Sequence, residues 1–149
     1  MSDAWIIRPA RPADELGWVA LRHALWPDEV LDDVWNYLDR PQSAAAFVAI
    51  GKPGEVLGFA EATIRHDYVN GCETSPVGFL EGWYVEPRVR GQGVGRALIR
   101  AVECWVLQQG CHELGSDALL DNDAGHAAHR ACGFRETERV VYFCKRMEA

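Results

Sequence analysis

Residues 85–105 read VEPRVRGQGVGRALIRAVECW. Pro87 breaks whatever precedes it, and Gly91, Gly93 and Gly95 lead into a run of helical period. Val94, Ala97, Leu98, Ala101, Val102 and Trp105 fall at i, i+3, i+4, i+7, i+8 and i+11, the apolar stripe of an amphipathic helix. Upstream, residues 79–85 (FLEGWYV) are apolar and aromatic apart from Glu81 and Gly82, as a buried strand is. Strand, glycine-rich turn and helix together present free backbone N–H groups and a helix N-terminus to a phosphate. Arg88, Arg90 and Arg96 add positive charge.

Two familiar glycine motifs fail here. A Walker loop requires a lysine after its last glycine, and Gly95 is followed by Arg96; the dinucleotide fingerprint GxGxxG does not match a GxGxG spacing. Arg90, Gly91, Gln92, Gly93, Val94 and Gly95 instead resemble the R/Q-x-x-G-x-G/A pyrophosphate loop of the GCN5-related N-acetyltransferases (GNATs).

The 149 residues are one domain's worth of chain, with 48% hydrophobic and 25% charged residues, ordinary for a globular protein. The net charge of −7 argues against a nucleic-acid backbone as the main partner and suits a cationic one. No apolar run approaches the ~20 residues of a bilayer span, and the N-terminal residues lack a secretory pattern. The five cysteines form no CxxC and are expected as reduced, mostly buried thiols in a cytoplasm. No zinc-ligand spacing stands out among Cys111, His112, His126 and His129, so no metal is expected.

Taken in order, residues 5–8 are a strand candidate ending at Pro9. A helix starting near Pro12 and Asp14 has Leu16, Val19, Ala20, Ala24 and Leu25 as its apolar side and stops at Pro27. A second helix from Asp28 has Val30, Leu31, Val34, Tyr37 and Leu38 on one face. Its other face carries Asp32, Asp33, Asn36 and Asp39, either a solvated face or an acidic wall for a polyamine-like substrate. Residues 44–50 and 55–65 are strands joined by a Gly-Lys-Pro-Gly turn, and in the second Phe59, Glu61, Thr63 and Arg65 alternate with Ala60, Ala62 and Ile64. Residues 66–78 form a long polar connection in which Tyr68 is either a functional contact or an aromatic plug. The 85–105 helix ends near Gly110. Residues 113–117 then form a short strand with Asp117 at its end, and a helix capped by Asn122 or Asp123 runs through Cys132. The tail, residues 135–146, holds two strand candidates around Glu138 and Val141-Tyr142-Phe143.

This order of elements resembles the GNAT fold over nearly the whole chain: a single α/β domain, residues 1–149, with a mixed sheet splayed at the acetyl-CoA site and flanked by helices. The resemblance implies that Trp83, Tyr84 and Val85 offer main-chain hydrogen bonds to acetyl-CoA, that residues Gly91 to Arg96 hold its pyrophosphate, and that Asn122 contacts coenzyme A. The segments IRHDYVNG (64–71), FLEG (79–82), SD (116–117), ETERV (136–140) and LWP (25–27) are more closely similar to the aminoglycoside 6′-N-acetyltransferases. That likeness implies a homodimer, with Trp26, Tyr68, Glu81, Asp117 and Glu138 lining the aminoglycoside site; Glu29 falls where relatives have a different polar residue. Carboxylates on a concave surface suit a substrate carrying several ammonium groups. A carboxylate can also take the proton that the acceptor amine must lose, and Asp117 is favoured as base with Glu81 positioning the amine or its water. His129 stands where many GNATs have a tyrosine that protonates the leaving thiolate. Other amines (a polyamine, a protein N-terminus) and non-catalytic acetyl-CoA binding are the competing readings.

Overall fold

The computed structural model describes residues 4–29 and 33–148. Strand β1 (Ile6–Pro9) leads through a 3-10 turn (Pro12–Asp14) into helix α1 (Glu15–Leu25). A second 3-10 turn (Trp35–Tyr37) precedes β2 (Ala44–Ile50), β3 (Val56–Arg65) and β4 (Val77–Val85). A third turn (Pro87–Val89) opens α2 (Val94–Gln108), and β5 (Leu114–Ser116) and α3 (Asp123–Ala131) follow. The chain divides into two compact units, Met1–Asp117 and Ala118–Ala149.

In the first unit the five strands form one sheet in the order β1-β2-β3-β4-β5, antiparallel throughout except for the parallel β4–β5 pair. Both helices pack on it. A Cβ built on Gly58 would lie 3.2 Å from Leu98 of α2, whereas Phe59, the next residue, packs in a cluster with Trp18 and Leu21 of α1. Successive strand residues point to opposite faces, so α1 and α2 cover opposite sides of the sheet. Helix α2 buries Val94, Leu98, Ile99, Val102, Trp105 and Val106, the expected stripe widened by Ile99 and Val106.

The expected face of α1 holds for Val19 and Leu25, which pack against the core, but not for the rest. Leu16 is 89% exposed and Ala20 and Ala24 are also exposed, while Trp18, Leu21 and Arg22 are buried. Burying one indole removes more apolar surface than the leucine it outcompetes, and its polar edge has a partner. Trp18 Nε1 donates to Glu61 Oε1 at 2.8 Å, and Arg22 Nε lies 3.0 Å from the same oxygen. Glu61 on β3 is fully buried; burial pushes its carboxyl above the usual range while Arg22, Trp18 and Tyr37 pull it back. At the other end of α1, Arg8 makes two hydrogen bonds to Asp14, at 2.7 and 2.9 Å, and holds that carboxyl below the ordinary value.

The second predicted helix falls partly on residues 30–32, outside the described residues; what is described is the single turn Trp35–Tyr37, with Val34 buried. Asp33 accepts hydrogen bonds from Trp35 N (3.2 Å) and Asn36 Nδ2 (3.0 Å), so it caps this turn locally. Asp39 is exposed.

In the second unit α3 begins as expected, with the Asn122 side chain accepting from Gly125 N at 3.0 Å. The tail does not. Residues 134–148 contain no strand, and Val141, Tyr142 and Phe143 are exposed, the last to 93%. A strand exists only against a partner edge, and this segment has none within the described residues. The cysteines are all free, but Cys104 and Cys144 are exposed rather than buried.

The Arg22–Glu61 pair yields the first prediction. Arg22→Met leaves a buried carboxylate without its counter-charge and should cost about 3–5 kcal/mol, read by urea denaturation at neutral pH. Because the folded-state pKa of Glu61 is raised, the loss should shrink on acidification, as the lone carboxyl takes up a proton.

Candidate active site

Pairing between β4 and β5 covers only Gly78 with Leu114, Phe79 with Gly115 and Leu80 with Ser116. Strand β4 continues to Val85, and from Glu81 onward that edge has no strand beside it among the described residues. On its other edge β4 carries a bulge: Glu61 pairs with Gly82 and Ala62 with Leu80, so Glu81 is the extra residue. A bulge re-aims a side chain, and here it sends Glu81 to the face that α1 covers. Thr63 Oγ1 donates to Glu81 Oε1 at 2.7 Å, and Arg65 Nη2 lies 2.8 and 2.9 Å from its two oxygens. Asp117, exposed, follows Ser116 directly, at the end of β5 and next in register to Glu81. Glu81 and Asp117 thus each stand one position past the last β4–β5 pair, Leu80 with Ser116, where the strands part.

Trp26 closes the same face. It ends α1, its ring lies 6.3 Å from that of Phe59, and Arg22 stands 5.8 Å from its centroid. A Cβ on Gly82 would come within 2.4 Å of Trp26 Cη2, so only glycine lets the indole lie against the strand. Glu29 follows on an exposed turn whose N–H donates to Trp26 O at 3.3 Å.

The long connection between β3 and β4 is pinned rather than loose. Glu113 accepts from Glu73 N (3.0 Å), Thr74 N (2.7 Å) and the Thr74 hydroxyl, and these bonds hold its carboxyl below the ordinary range. Val69 is buried against Val77 and Phe79, whereas Tyr68 is 75% exposed. Val69, not Tyr68, is therefore the plug.

At the start of α2, Gly91 and Gly93 have φ of +82° and +87°, in the left-handed region that glycine occupies without strain, and a Cβ on either would meet nothing within 4 Å. Gly93 is the N-cap and supplies no side chain, so the first N–H groups of a 15-residue helix face this open space. Val94 is buried, anchoring the turn, and Trp83 Nε1 donates to Gly95 O at 3.2 Å, tying the β4 edge to the helix start. The arginines do less than their number implies. Arg88 pairs with Glu55 at 2.7 Å, and Arg90 Nε donates back to Val85 O at 2.8 Å with its guanidinium 5.1 Å from the Tyr84 ring. Gln92 is half-buried and Arg96 exposed.

The description "Acetyltransferase (GNAT) family" belongs to the family model that matches residues 11–134. This chain is a member of that family. An aminoglycoside N(6′)-acetyltransferase type 1 of Stenotrophomonas maltophilia is 54% identical over 96% of this acetyltransferase and 94% of its own length. One from Acinetobacter haemolyticus is 45% identical over 95% and 99%. Among solved structures, an aminoglycoside antibiotic 6′-N-acetyltransferase from Acinetobacter baumannii superposes with a TM-score of 0.90 at 40% identity, over 97% of this chain and 100% of that one. A structure of AAC(6′)-Iy in complex with the bisubstrate analogue CoA-S-monomethyl-acetylneamine superposes at 0.88 and 42% identity, over 97% and 99%.

In the second unit of this acetyltransferase, Asn122 spends its side-chain oxygen on the α3 cap. His129 Nδ1 lies 2.6 Å from Gly125 O. A carbonyl can only accept, so Nδ1 carries the hydrogen in this contact. Glu138 is exposed on the irregular tail. Four residues that matter to the first unit's site were not singled out from the sequence. Thr63 and Arg65 grip Glu81, Arg22 backs Trp26, and Glu113 pins the loop. The alternation of Glu61, Thr63 and Arg65 along a buried strand was the available signal for the β3 members; Glu113 offered none.

Gly93→Val should abolish measurable acetyl-CoA binding in calorimetric titration, because a branched side chain would be strained at that φ and would fill the open space. Arg90→Ala should weaken binding far less, since Arg90 is turned toward Val85 O.

Proposed function

We propose that this acetyltransferase moves the acetyl group of acetyl-CoA directly to the 6′-amine of aminoglycosides, and that this activity confers resistance to them. The observation that carries the reading is the parting of β4 and β5 at Glu81. One strand end offers an open edge, a neighbouring helix N-terminus and two carboxylates, which is what a thioester donor and a polycationic acceptor need in common. Relatives of 54% and 45% identity bearing the 6′-acetyltransferase name support it. So does the 42%-identical structure in complex with a coenzyme A–acetylneamine analogue.

Coenzyme A is held by main-chain donors from Gly91 to Arg96, with Arg90 supporting the loop. The edge from Trp83 to Val85 bonds the pantetheine arm and thioester. The aminoglycoside is lined by Trp26, Glu29, Tyr68, Glu81 and Asp117. Its 6′-nitrogen attacks the thioester carbonyl, the carbon–sulfur bond breaks, and Asp117 takes the amine's proton while Glu81 orients the amine or its water. A thiol pKa of about 8.5 lets coenzyme A depart as thiolate without an enzymic acid. Residues 1–149 act as one domain, a reading supported by a family match that runs across the 117/118 junction. The free cysteines suit a reducing cytoplasm.

The test is acetylation of kanamycin against an analogue bearing a 6′-hydroxyl, spermidine and a peptide N-terminus. Turnover should require the 6′-amine; equal turnover of spermidine would sink the reading. Asp117→Asn keeps the shape but cannot take the proton, and should lower the transfer rate by ~10²–10⁴ with little change in kanamycin binding.

The protein acts as a homodimer. Support comes from the tail, whose Val141, Tyr142 and Phe143 are exposed and unpaired, a segment of strand-forming residues suited to the sheet edge of a second copy. Sedimentation at micromolar concentration should give twice the chain mass, and deletion of residues 140–149 should give monomers. An intact chain sedimenting as a monomer would contradict the assignment.

A further inference from the structure

A site for a polycation contains a fixed cation of its own. Arg65, the last residue of β3, places Nη2 2.8 Å from Glu81 Oε1 and 2.9 Å from Oε2, and its Nε 3.1 Å from Oε1. Thr63 donates to the same Oε1 at 2.7 Å. Oε1 thus accepts three bonds and Oε2 one, which leaves Oε2 with capacity for one more donor. The guanidinium carbon also lies 3.6 Å from the Phe79 ring centroid, so a half-exposed arginine is held both by a carboxylate and by an aromatic face.

The consequence is electrostatic. A carboxylate next to an amine favours the ammonium form, and ammonium has no lone pair with which to attack. Carboxylates alone would bind an aminoglycoside and keep its nucleophile unreactive. A guanidinium on the same carboxylate opposes this, because a second positive charge nearby disfavours the ammonium. The other groups bearing on Glu81 do not supply that charge. Arg22 of α1 is committed to Glu61 of β3 at 3.0 Å, and burial pushes the Tyr37 phenol of the 3-10 turn further up, so it stays neutral. Asp117 after β5 is negative, and His66 and Asp67, which follow Arg65, are exposed on the loop.

We propose that Arg65 is a positioning residue that fixes the Glu81 carboxylate and, by its charge, allows the acceptor amine to be seated there as the free base. The inference rests on the reading that Glu81 faces the acceptor amine. The proton that the incoming ammonium gives up passes to bulk water, leaving Asp117 as the base for the transfer step, and no other bond changes.

The experiment is the single-turnover rate of acetyl transfer to kanamycin, at saturating kanamycin and acetyl-CoA, followed against pH for the wild type, Arg65→Gln and Arg65→Lys. The wild-type acidic limb should lie below the pKa of the free 6′-amine, titrated separately by NMR. Arg65→Gln should move that limb up by about one unit. At a fixed pH below it the rate should then fall about tenfold, with recovery at high pH and a kanamycin KM that is unchanged or lower. Arg65→Lys, which keeps the charge, should leave the limb in place. An Arg65→Gln rate lowered equally at every pH, or a raised KM with the limb unmoved, would mean that the arginine is only structural and would overturn the proposal. If Arg65→Gln does not fold, the wild type decides alone: a limb at or above the pKa of the free amine overturns it. Failure of the wild type to acetylate kanamycin at any pH overturns the functional reading itself, a result distinct from a limb that does not move.

Discussion

Strand β4 has to satisfy two demands that ordinary pairing cannot meet together. It must stay hydrogen-bonded to β3, the central strand of the five-stranded sheet, and it must turn a carboxylate toward the face that α1 covers at the place where β5 ends. The extra residue at Glu81 reconciles them. Before it, β4 pairs on both sides; after it, the β3 side continues through Gly82 to Val85 while the β5 side is open. The bulge therefore fixes where the sheet opens, which carboxylate stands at the opening, and why the next residue has to be a glycine over which Trp26 can lie.

Charge follows the same economy. The chain is acidic by seven charges, yet several acidic groups of the first unit are already matched: Asp14 to Arg8, Glu61 to Arg22, Glu55 to Arg88 and Glu81 to Arg65. The buried Glu61–Arg22 pair is costly to desolvate and stabilises little by itself. Its position explains its presence better than its energy does. Arg22 stands between Glu61 and the Trp26 ring, so the ion pair holds the end of α1 against the sheet on the face where Glu81 stands. Asp117 stands differently, exposed at the end of β5.

The loop between β3 and β4 shows how a long connection is kept in order without secondary structure. One carboxylate, Glu113, gathers the backbone of Glu73 and Thr74, and one buried side chain, Val69, anchors the stretch before it. Tyr68, immediately before the buried Val69, is presented to solvent rather than packed.

The sequence by itself determined the parts whose causes are local. Residues 94–108 form a helix because their apolar residues recur at its period, and the turn before it takes left-handed φ at Gly91 and Gly93, which glycine adopts without strain. Strand β2 and the short β5 with Asp117 beyond it were legible for the same reason. Tertiary structure alone decided whatever depends on a partner far along the chain. The face of α1 was misread because Leu16 and Ala20 fit a helical stripe, whereas Trp18 and Arg22 answer to Glu61, 43 positions from Trp18. The grip of Arg65 on Glu81 needed the β3–β4 register and its bulge, which no period encodes. The tail carries strand-forming residues but no edge within the described residues, and alternation in a sequence specifies a strand only when something lies beside it.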